Sequence, residues 1–315
     1  MELILKQFRG RFVDDNQLPM TVVEDPYFEE RIKMLEGEFH AQLKYLSLME
    51  TVRDSFGGNM QKFLEHRHSV KDQILSHILN SEGYKAMLAD KSPLEDCKLV
   101  VGANELYTEQ QDGGLFLSFD MIKANFQALR YVDPSIVRDC ETWEEFVACF
   151  TDVKYLASAK QVRQEVLGKL NGKRLSAIEK RFSNEFAKVL MERLGDKFTL
   201  FSIKTDEIII KFNGTEKEFD KVKVENEEFN GFKFRVNKFK LHLREFRRAS
   251  SEKLIKIYQK EDFLNGHKRT LKCLPATYYP QVYKLLNGMK INDSDRVFNF
   301  DHELCQFKYA LELKK

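Results

Sequence analysis

The stretch Phe198-Thr-Leu-Phe-Ser-Ile203, Lys204-Thr-Asp-Glu207, Ile208-Ile-Ile-Lys-Phe212 decides the predicted fold of this 315-residue chain. Its two outer runs are apolar and rich in β-branched and aromatic residues, and a short polar segment separates them. That pattern is typical of a β-hairpin, because strands favour such side chains and turns favour polar ones. The sequence therefore predicts two antiparallel strands with an acidic turn at Asp206 and Glu207.

A second apolar run, Leu115-Phe-Leu-Ser-Phe119, follows Gly113-Gly114 and predicts another strand. Asp120 closes this strand and shares the face of Phe116 and Ser118, because side chains alternate between the two faces of a strand. If this strand pairs with the hairpin, carboxylates from distant parts of the chain meet at one edge of the sheet.

Carboxylates that meet in this way repel each other unless a divalent cation neutralises them. We therefore predict Asp120, Asp206 and Glu207 as catalytic residues, with Asp120 and Asp206 as the ligands of Mg²⁺ (or Mn²⁺). Paired metals of this kind hold the attacking and leaving oxygens in phosphoryl transfer. The alternative is that Asp120 caps a following helix and that the hairpin tip is an ordinary polar turn.

A predicted helix between these acids presents cations on one face. Lys160, Arg163, Leu167 and Asn171 recur at three- and four-residue steps, and Gly168 would let a base pair approach the backbone closely. Cations bind triphosphates and a flat apolar surface supports a base, so these five residues are the predicted nucleotide-binding residues. The alternative is a solvated basic helix.

Three segments resemble motifs A, B and C of template-directed polymerases with a palm domain. In chain order they are Asp120-Met-Ile-Lys-Ala-Asn-Phe-Gln-Ala-Leu-Arg130, Arg163-Gln-Glu-Val-Leu-Gly-Lys-Leu-Asn-Gly172 and Thr205-Asp-Glu-Ile208. The closest resemblance is to the family A DNA polymerases and the single-subunit phage-type RNA polymerases. It implies a nucleotidyltransferase in which Asp120 and Asp206 are the metal ligands, and motif B contributes Arg163, Asn171 and Gly172.

Two other functions remain open. A nucleotide cyclase of the diguanylate-cyclase type also pairs a strand-end aspartate with an acidic hairpin, although this hairpin lacks the glycine pair on which the nucleotide would lie. A non-catalytic nucleic-acid-binding protein would use the same basic surfaces without metal-dependent chemistry.

The segment from Gly231 to Lys260 is strongly basic, with ten Lys or Arg and two Glu, whereas the whole chain has a net charge of +2. Basic residues alternate with apolar ones there, which predicts a sheet with one buried face and one cationic face that binds phosphate backbones. The phase of the alternation slips around Asn237-Lys238, as at a bulge or a turn. The predicted nucleic-acid-binding residues are Lys233, Arg235, Lys238, Lys240, Arg244, Arg247 and Arg248. The alternative is a solvated sheet surface.

These segments predict an α+β protein with three regions. Residues 1–92 form a helical N-terminal region, in which apolar residues from Phe28 to Val52 recur at helical spacing and predict one long helix. Residues 93–230 form a palm-like antiparallel sheet with packed helices and a fingers-like helix. Residues 231–315 form a basic, thumb-like β/α appendage that binds nucleic acid.

The composition is that of a globular protein, with 43% hydrophobic residues and no apolar run long enough to span a membrane. No secretory signal is readable, and five scattered cysteines without a CxxC pair favour reduced thiols. We therefore expect an intracellular, cytoplasmic protein, or one associated with a virus or its host cell. Its expected partners are nucleic acid, nucleoside triphosphates and further protein subunits, and not a membrane.

Overall fold

The computed structural model describes residues 2–90, 100–170, 172–248 and 251–314 of the chain, without the side chains of 251–253. The N-terminal part is helical and comprises α1 (Glu2–Asn16), α2 (Tyr27–Met34), α3 (Glu36–Phe39), α4 (Ala41–Phe56), α5 (Met60–Asn80) and α6 (Glu82–Ala89). Strand β1 (Leu115–Met121) comes next and is followed by α7 (Ala124–Val132), α8 (Trp143–Ala148), α9 (Lys154–Ser158), α10 (Lys160–Leu167) and α11 (Gly172–Leu194).

The second half is rich in strands. It contains β2 (Phe198–Ile203), β3 (Glu207–Phe212), α12 (Glu216–Asp220), β4 (Glu227–Phe229), β5 (Phe232–Arg248), β6 (Ser251–Asp262), β7 (Lys268–Lys272), α13 (Tyr279–Leu286), β8 (Val297–Phe300), β9 (Glu303–Gln306) and β10 (Leu311–Leu313). The α+β prediction is confirmed. No helix in the four described ranges has the length and apolarity that crossing a membrane requires.

The main sheet has the strand order β2-β3-β1-β5-β6-β7, with β4 and β10 also pairing with β5. Every neighbouring pair of its strands is antiparallel. The three predicted strands are present, and the β2–β3 hairpin pairs with β1, which meets the condition under which Asp120 and the hairpin turn share one edge of the sheet. Because β1 lies between β3 and β5, its carboxyl end borders the hairpin turn on one side and the start of β5 on the other.

Both faces of the sheet carry apolar cores. On one face, Phe182, Phe186 and Leu190 of α11 pack against alternate residues of β1 and β3, including Leu117 and Ile210. On the opposite face, a smaller cluster forms around Phe116, Ile209 and Phe239. Asp120 belongs to the second face by the period of two, so it lies on the side of the sheet away from α11.

The long helix predicted from Phe28 to Val52 is divided into α2, α3 and α4. His40 has a left-handed backbone conformation, with φ of 53°, which ends α3. The Glu36 carboxylate then accepts hydrogen bonds from the main-chain N–H groups of Gln42 and Leu43, at 2.7 and 3.2 Å, in the first turn of α4. Apolar spacing continues across this break, because all three helices contribute apolar residues to one core.

Strand β5 continues through Asn237-Lys238, where the sequence predicts a bulge or a turn, with neither of them in its pairing with β1. Its register with β1 runs without a shift from Met121 opposite Phe234 to Leu115 opposite Lys240. The alternation slips because the buried face changes: Phe234 and Val236 pack on the α11 side, whereas Phe239 and Leu241 pack on the opposite side.

The predicted boundary at residue 92 lies outside the described residues, but packing and strand pairing join the segments on either side of both predicted boundaries. The largest core combines residues of α1 to α6 with residues of α7 to α11, and β5 pairs with β1 across the second boundary. The division into three regions stays a prediction.

Candidate active site

The carboxyl end of β1 and the turn between β2 and β3 lie side by side. The main-chain N–H of Met121 donates to the carbonyl of Asp206 at 2.8 Å, and the N–H of Lys204 donates to the carbonyl of Glu207 at 2.8 Å, closing the turn. Buried Ser183 of α11 donates its hydroxyl to the carbonyl of Thr205 at 3.1 Å from the other side. These bonds fix the Asp206 backbone relative to β1.

Asp120 and Asp206 line one open cleft of about 610 Å³. Burial, and next the negative charge of Asp120, raise the pKa of Asp206 above its usual value. The two carboxylates are therefore close enough to repel each other. Glu207 lies opposite Asp120 in the β1–β3 register but is not among the residues that line this cleft.

Helix α10 contributes cations to the same cleft. Lys160, Arg163, Leu167 and Gly168 line it together with the two aspartates. Burial and the charge of Arg163 lower the pKa of Lys160, and burial lowers the pKa of Arg163. Six of the predicted site residues thus line one cleft: Asp120, Asp206, Lys160, Arg163, Leu167 and Gly168. Asn171 lies outside the described residues, and Gly172 begins α11.

Arg235 of β5 also lines the cleft, directly opposite Asp120 in the strand register. Its guanidinium donates to the Asp120 carboxylate at 2.5 Å, and the two side chains are 60% and 31% exposed. Lys123 lines the cleft as well, which brings its cations to four against two carboxylates. Such a surplus suits a polyanionic ligand.

The donor set is compatible with magnesium. Mg²⁺ in proteins is commonly held by one or two carboxylates together with substrate phosphates and water, and a bound cation would relieve the repulsion between Asp120 and Asp206. Within the described ranges, no three His, Cys, Asp or Glu side chains form a cluster that could hold a metal. Asp120 and Asp206 would thus be the protein ligands, and phosphate oxygens would complete the coordination.

Comparison with protein-family models, with curated proteins and with solved structures finds no match. The functional assignment therefore rests on the geometry and the charges of the cleft.

Glu179 of α11 was not identified from the sequence. It is 3% exposed, and its Oε1 atom is buried without a hydrogen-bond partner in the described part of the chain. Burial, and next the charge of Asp206, raise its pKa to about 7. The sequence pattern that could have identified Glu179 is its position on the apolar face of the helix, four residues after Leu175 and three before Phe182.

The predicted nucleic-acid-binding residues of β5 do not share one cationic face. The prediction that Lys238 binds nucleic acid is corrected, because the residue is buried. It is 3% exposed, and its ammonium donates to the carbonyls of Asp220 and Val222 at 2.8 and 2.9 Å. In the sequence, Lys238 looks like one of the alternating exposed basic residues, but its side chain points inward. Its ammonium also lies over the rings of Phe219 and Phe263.

The other basic residues of β5 have different surroundings. Lys240 forms an ion pair with Glu216, at 2.6 Å, and Arg244 donates to Gln259 at 3.3 Å. Lys233 is exposed near the cleft, whereas Arg247 and Arg248 are exposed at the far end of the strand, where it pairs with β10. By the period of two, Lys233, Arg235 and Arg247 lie on the face opposite to the remaining four.

Proposed function

We propose that this chain is a metal-dependent nucleotidyltransferase, specifically a small template-directed nucleic-acid polymerase. One observation carries the proposal: Asp120, Asp206, Lys160 and Arg163 come from three separate segments and line the same cleft. Two acids and four cations around one open cleft suit a metal-bound nucleoside triphosphate better than they suit a neutral substrate.

Each residue has a role in this proposal. Asp120 and Asp206 hold Mg²⁺, which when bound stabilises charge on the attacking and leaving oxygens of an in-line displacement. Lys160 and Arg163 bind the β- and γ-phosphates, so the pyrophosphate leaves along the α10 side of the cleft. Leu167 and Gly168 offer an apolar, low-relief surface beside the base. The 3′-hydroxyl of a growing strand would then attack the α-phosphate.

The test is incorporation of labelled ribo- and deoxyribonucleotides with Mg²⁺, run without nucleic acid, with a single strand and with a primer–template. We expect incorporation with the primer–template, and a loss of at least about 100-fold in Asp206→Asn, because that side chain would no longer bind the metal as an anion. Asp196→Asn, an exposed aspartate between α11 and β2, is the matched control. Full activity in Asp206→Asn would overturn the assignment, and product formed without nucleic acid would indicate a cyclase.

A second candidate function is a non-catalytic nucleic-acid-binding protein. The ion pair between Arg235 and Asp120 favours it, because an arginine already neutralises one of the two carboxylates. Salt-sensitive binding of the primer–template, without Mg²⁺-dependent incorporation in any of the three conditions, would support this candidate over the polymerase.

A further inference from the structure

A second cavity, of about 280 Å³, adjoins the candidate active site. Ile122 and Lys123 line both, so the two spaces share part of the chain that leaves β1. We call it the Trp143 cavity; Arg130, Tyr131, Trp143, Phe232 and Lys233 also line it. Gln127 holds its wall together: its amide donates to the carbonyls of Ile122 and Lys233 at 2.5 and 3.1 Å.

Two hydrogen-bond donors of this wall are buried without partners. The indole N–H of Trp143, a fully buried side chain, and the Nε–H of Arg130 have no acceptor among the described residues. Leaving a buried donor unpaired is unfavourable, and such donors in a native protein call for an explanation. A ligand rich in hydrogen-bond acceptors, entering with a small adjustment of the wall, would supply the missing partners.

The wall also offers an aromatic surface beside positive charge. Tyr131 is 50% exposed, and its ring packs against Phe182 and Phe232 with centroid distances of 4.8 and 5.6 Å. Lys233 is exposed and forms no ion pair within the described ranges, while the Arg130 guanidinium lies 3.5 Å from Glu141. A half-exposed ring that two aromatic contacts fix in place offers area on which a base can stack, and the neighbouring cations suit its phosphate.

We propose that the Trp143 cavity is a second nucleotide site, in which a base stacks on Tyr131 and its phosphate contacts Lys233 and Arg130. At about 280 Å³ the cavity lies close to the lower limit of about 300 Å³ for small-molecule pockets, so it has room for no more than one nucleotide. An acidic peptide would satisfy the cations but leave the ring without a stacking partner. This site goes beyond the proposed function and does not depend on catalysis in the cleft.

The chain contains one tryptophan, so its fluorescence reports on this cavity. Uridine monophosphate and a short 5′-phosphorylated single strand are titrated separately in metal-free buffer, because the same nucleotide chemistry can come from either source. We expect a saturable change in Trp143 emission with at least one of them. Lys233→Glu is expected to weaken this binding about tenfold or more, because it removes a charge-assisted contact with the phosphate. Lys223→Glu, at an exposed lysine outside the cavity, is the matched control.

Two further variants separate this site from the active site. Tyr131→Ala is expected to weaken binding about fivefold or more by removing the stacking surface, and Arg163→Glu is expected to leave it unchanged. Loss of the signal in Arg163→Glu but not in Lys233→Glu would assign the binding to the active-site cleft and overturn the proposal. No change in emission with either ligand would overturn it too. Circular dichroism and thermal unfolding of each variant establish that it is folded.

Discussion

Arg235 brings to Asp120 the positive charge that a metal ion would otherwise supply. The two residues are opposite each other in the β1–β5 register, so main-chain pairing places the arginine at the acid. Arg235 is the more exposed partner, and an exposed ion pair contributes at most about 1 kcal/mol. The arginine can therefore leave the carboxylate at little cost when a cation binds there.

Replacing Arg235 by alanine is expected to strengthen Mg²⁺ binding roughly two- to fivefold, because Asp120 no longer has to release an existing partner. Isothermal titration of the protein with MgCl₂ measures this. Lys233→Ala, two residues earlier on the same face of β5, is the control and should leave the affinity near that of the unaltered protein. An unchanged or weaker affinity in Arg235→Ala would contradict the competing role of the arginine.

Glu179 makes stability depend on pH. Its pKa is raised to about 7, first by burial and second by the charge of Asp206, so the folded protein retains a proton that the unfolded chain has released. Folded molecules thus bind more protons between the ordinary glutamate pKa and about 7. The contribution of the protonated carboxyl to the free energy of unfolding is therefore complete below the ordinary glutamate pKa, and it is lost as the pH rises through that window.

Glu179→Gln is expected to remove this dependence and to raise the free energy of unfolding above neutral pH by on the order of 2–3 kcal/mol. Urea unfolding in metal-free buffer, at about pH 5 and about pH 8, measures it. Glu192→Gln, at an exposed position of the same helix, is the control. The idea fails if the pH dependence of Glu179→Gln parallels that of the unaltered protein.

Helix α11 links the core to the hairpin turn. Its Phe182 and Phe186 pack under the sheet, and the intervening Ser183 donates to the carbonyl of Thr205, next to Asp206. One face of the helix thus combines apolar packing with a hydrogen bond to the turn. The position of Asp206 therefore depends on how α11 docks on the sheet.

Ser183→Ala is expected to lower the free energy of unfolding by about 1–2 kcal/mol, because the removed hydroxyl is a buried hydrogen-bond donor. Mg²⁺ affinity should fall with it, since the turn that carries Asp206 loses one of its anchors. Urea unfolding and MgCl₂ titration test the two effects. At partly buried Ser176, two turns earlier on the same side of the helix, alanine should change neither the free energy of unfolding nor the Mg²⁺ affinity by more than a few tenths of a kcal/mol.

The strands and the hairpin could be predicted from the sequence because their signals are local. Alternating and β-branched residues identify β1, β2 and β3, and pairing the three brings Asp120 and Asp206 together. Lys160 and Arg163 could be placed on a helix face by spacing alone. Whether these two cations lie in one cleft with Asp120 and Asp206 depends on how α10 packs against the sheet, which the spacing does not reveal.

The partners of the β5 residues could not be predicted in the same way. Arg235 and Lys238 look equivalent in the sequence, but one lies opposite Asp120 and the other is buried against main-chain carbonyls. The side chains of Arg235 and Lys238 point to opposite faces of the sheet. Near Lys238, the apolar residues of β5 change from the α11 side of the sheet to the opposite side. Periodicity reports which residues are buried, but not which layer covers them.

A buried ionic network connects the N-terminal helices to the helix that carries the cleft cations. Arg67 of α5 donates to Asp15 of α1 at 2.6 Å and to Glu165 of α10 at 3.3 Å, and Lys71 also donates to Glu165. Although burial opposes it, hydrogen bonds from Lys71 and Arg67 lower the pKa of Glu165 to about 2. Helix α10 therefore takes its orientation from α1 and α5.

Arg67→Ala is expected to lower the free energy of unfolding by about 3–5 kcal/mol, because it leaves the buried Asp15 carboxylate without its cation. Chemical unfolding followed by circular dichroism measures the loss. Arg53→Ala breaks an exposed pair with Asp54 and should leave the free energy of unfolding nearly unchanged, because water screens that pair. Equal stability of the two variants would show that the buried network does not hold the helices together.

The distance between the two aspartates is set by main-chain bonds. Met121 donates to the carbonyl of Asp206, and β1 pairs with β3 along its length. Neighbouring strands lie about 4.8 Å apart whatever side chains they carry. Substitutions that keep apolar residues on both faces of the sheet therefore leave the spacing of the acids intact. The main chain thus sets where the two acids lie, and a few polar side chains set what the cleft can bind.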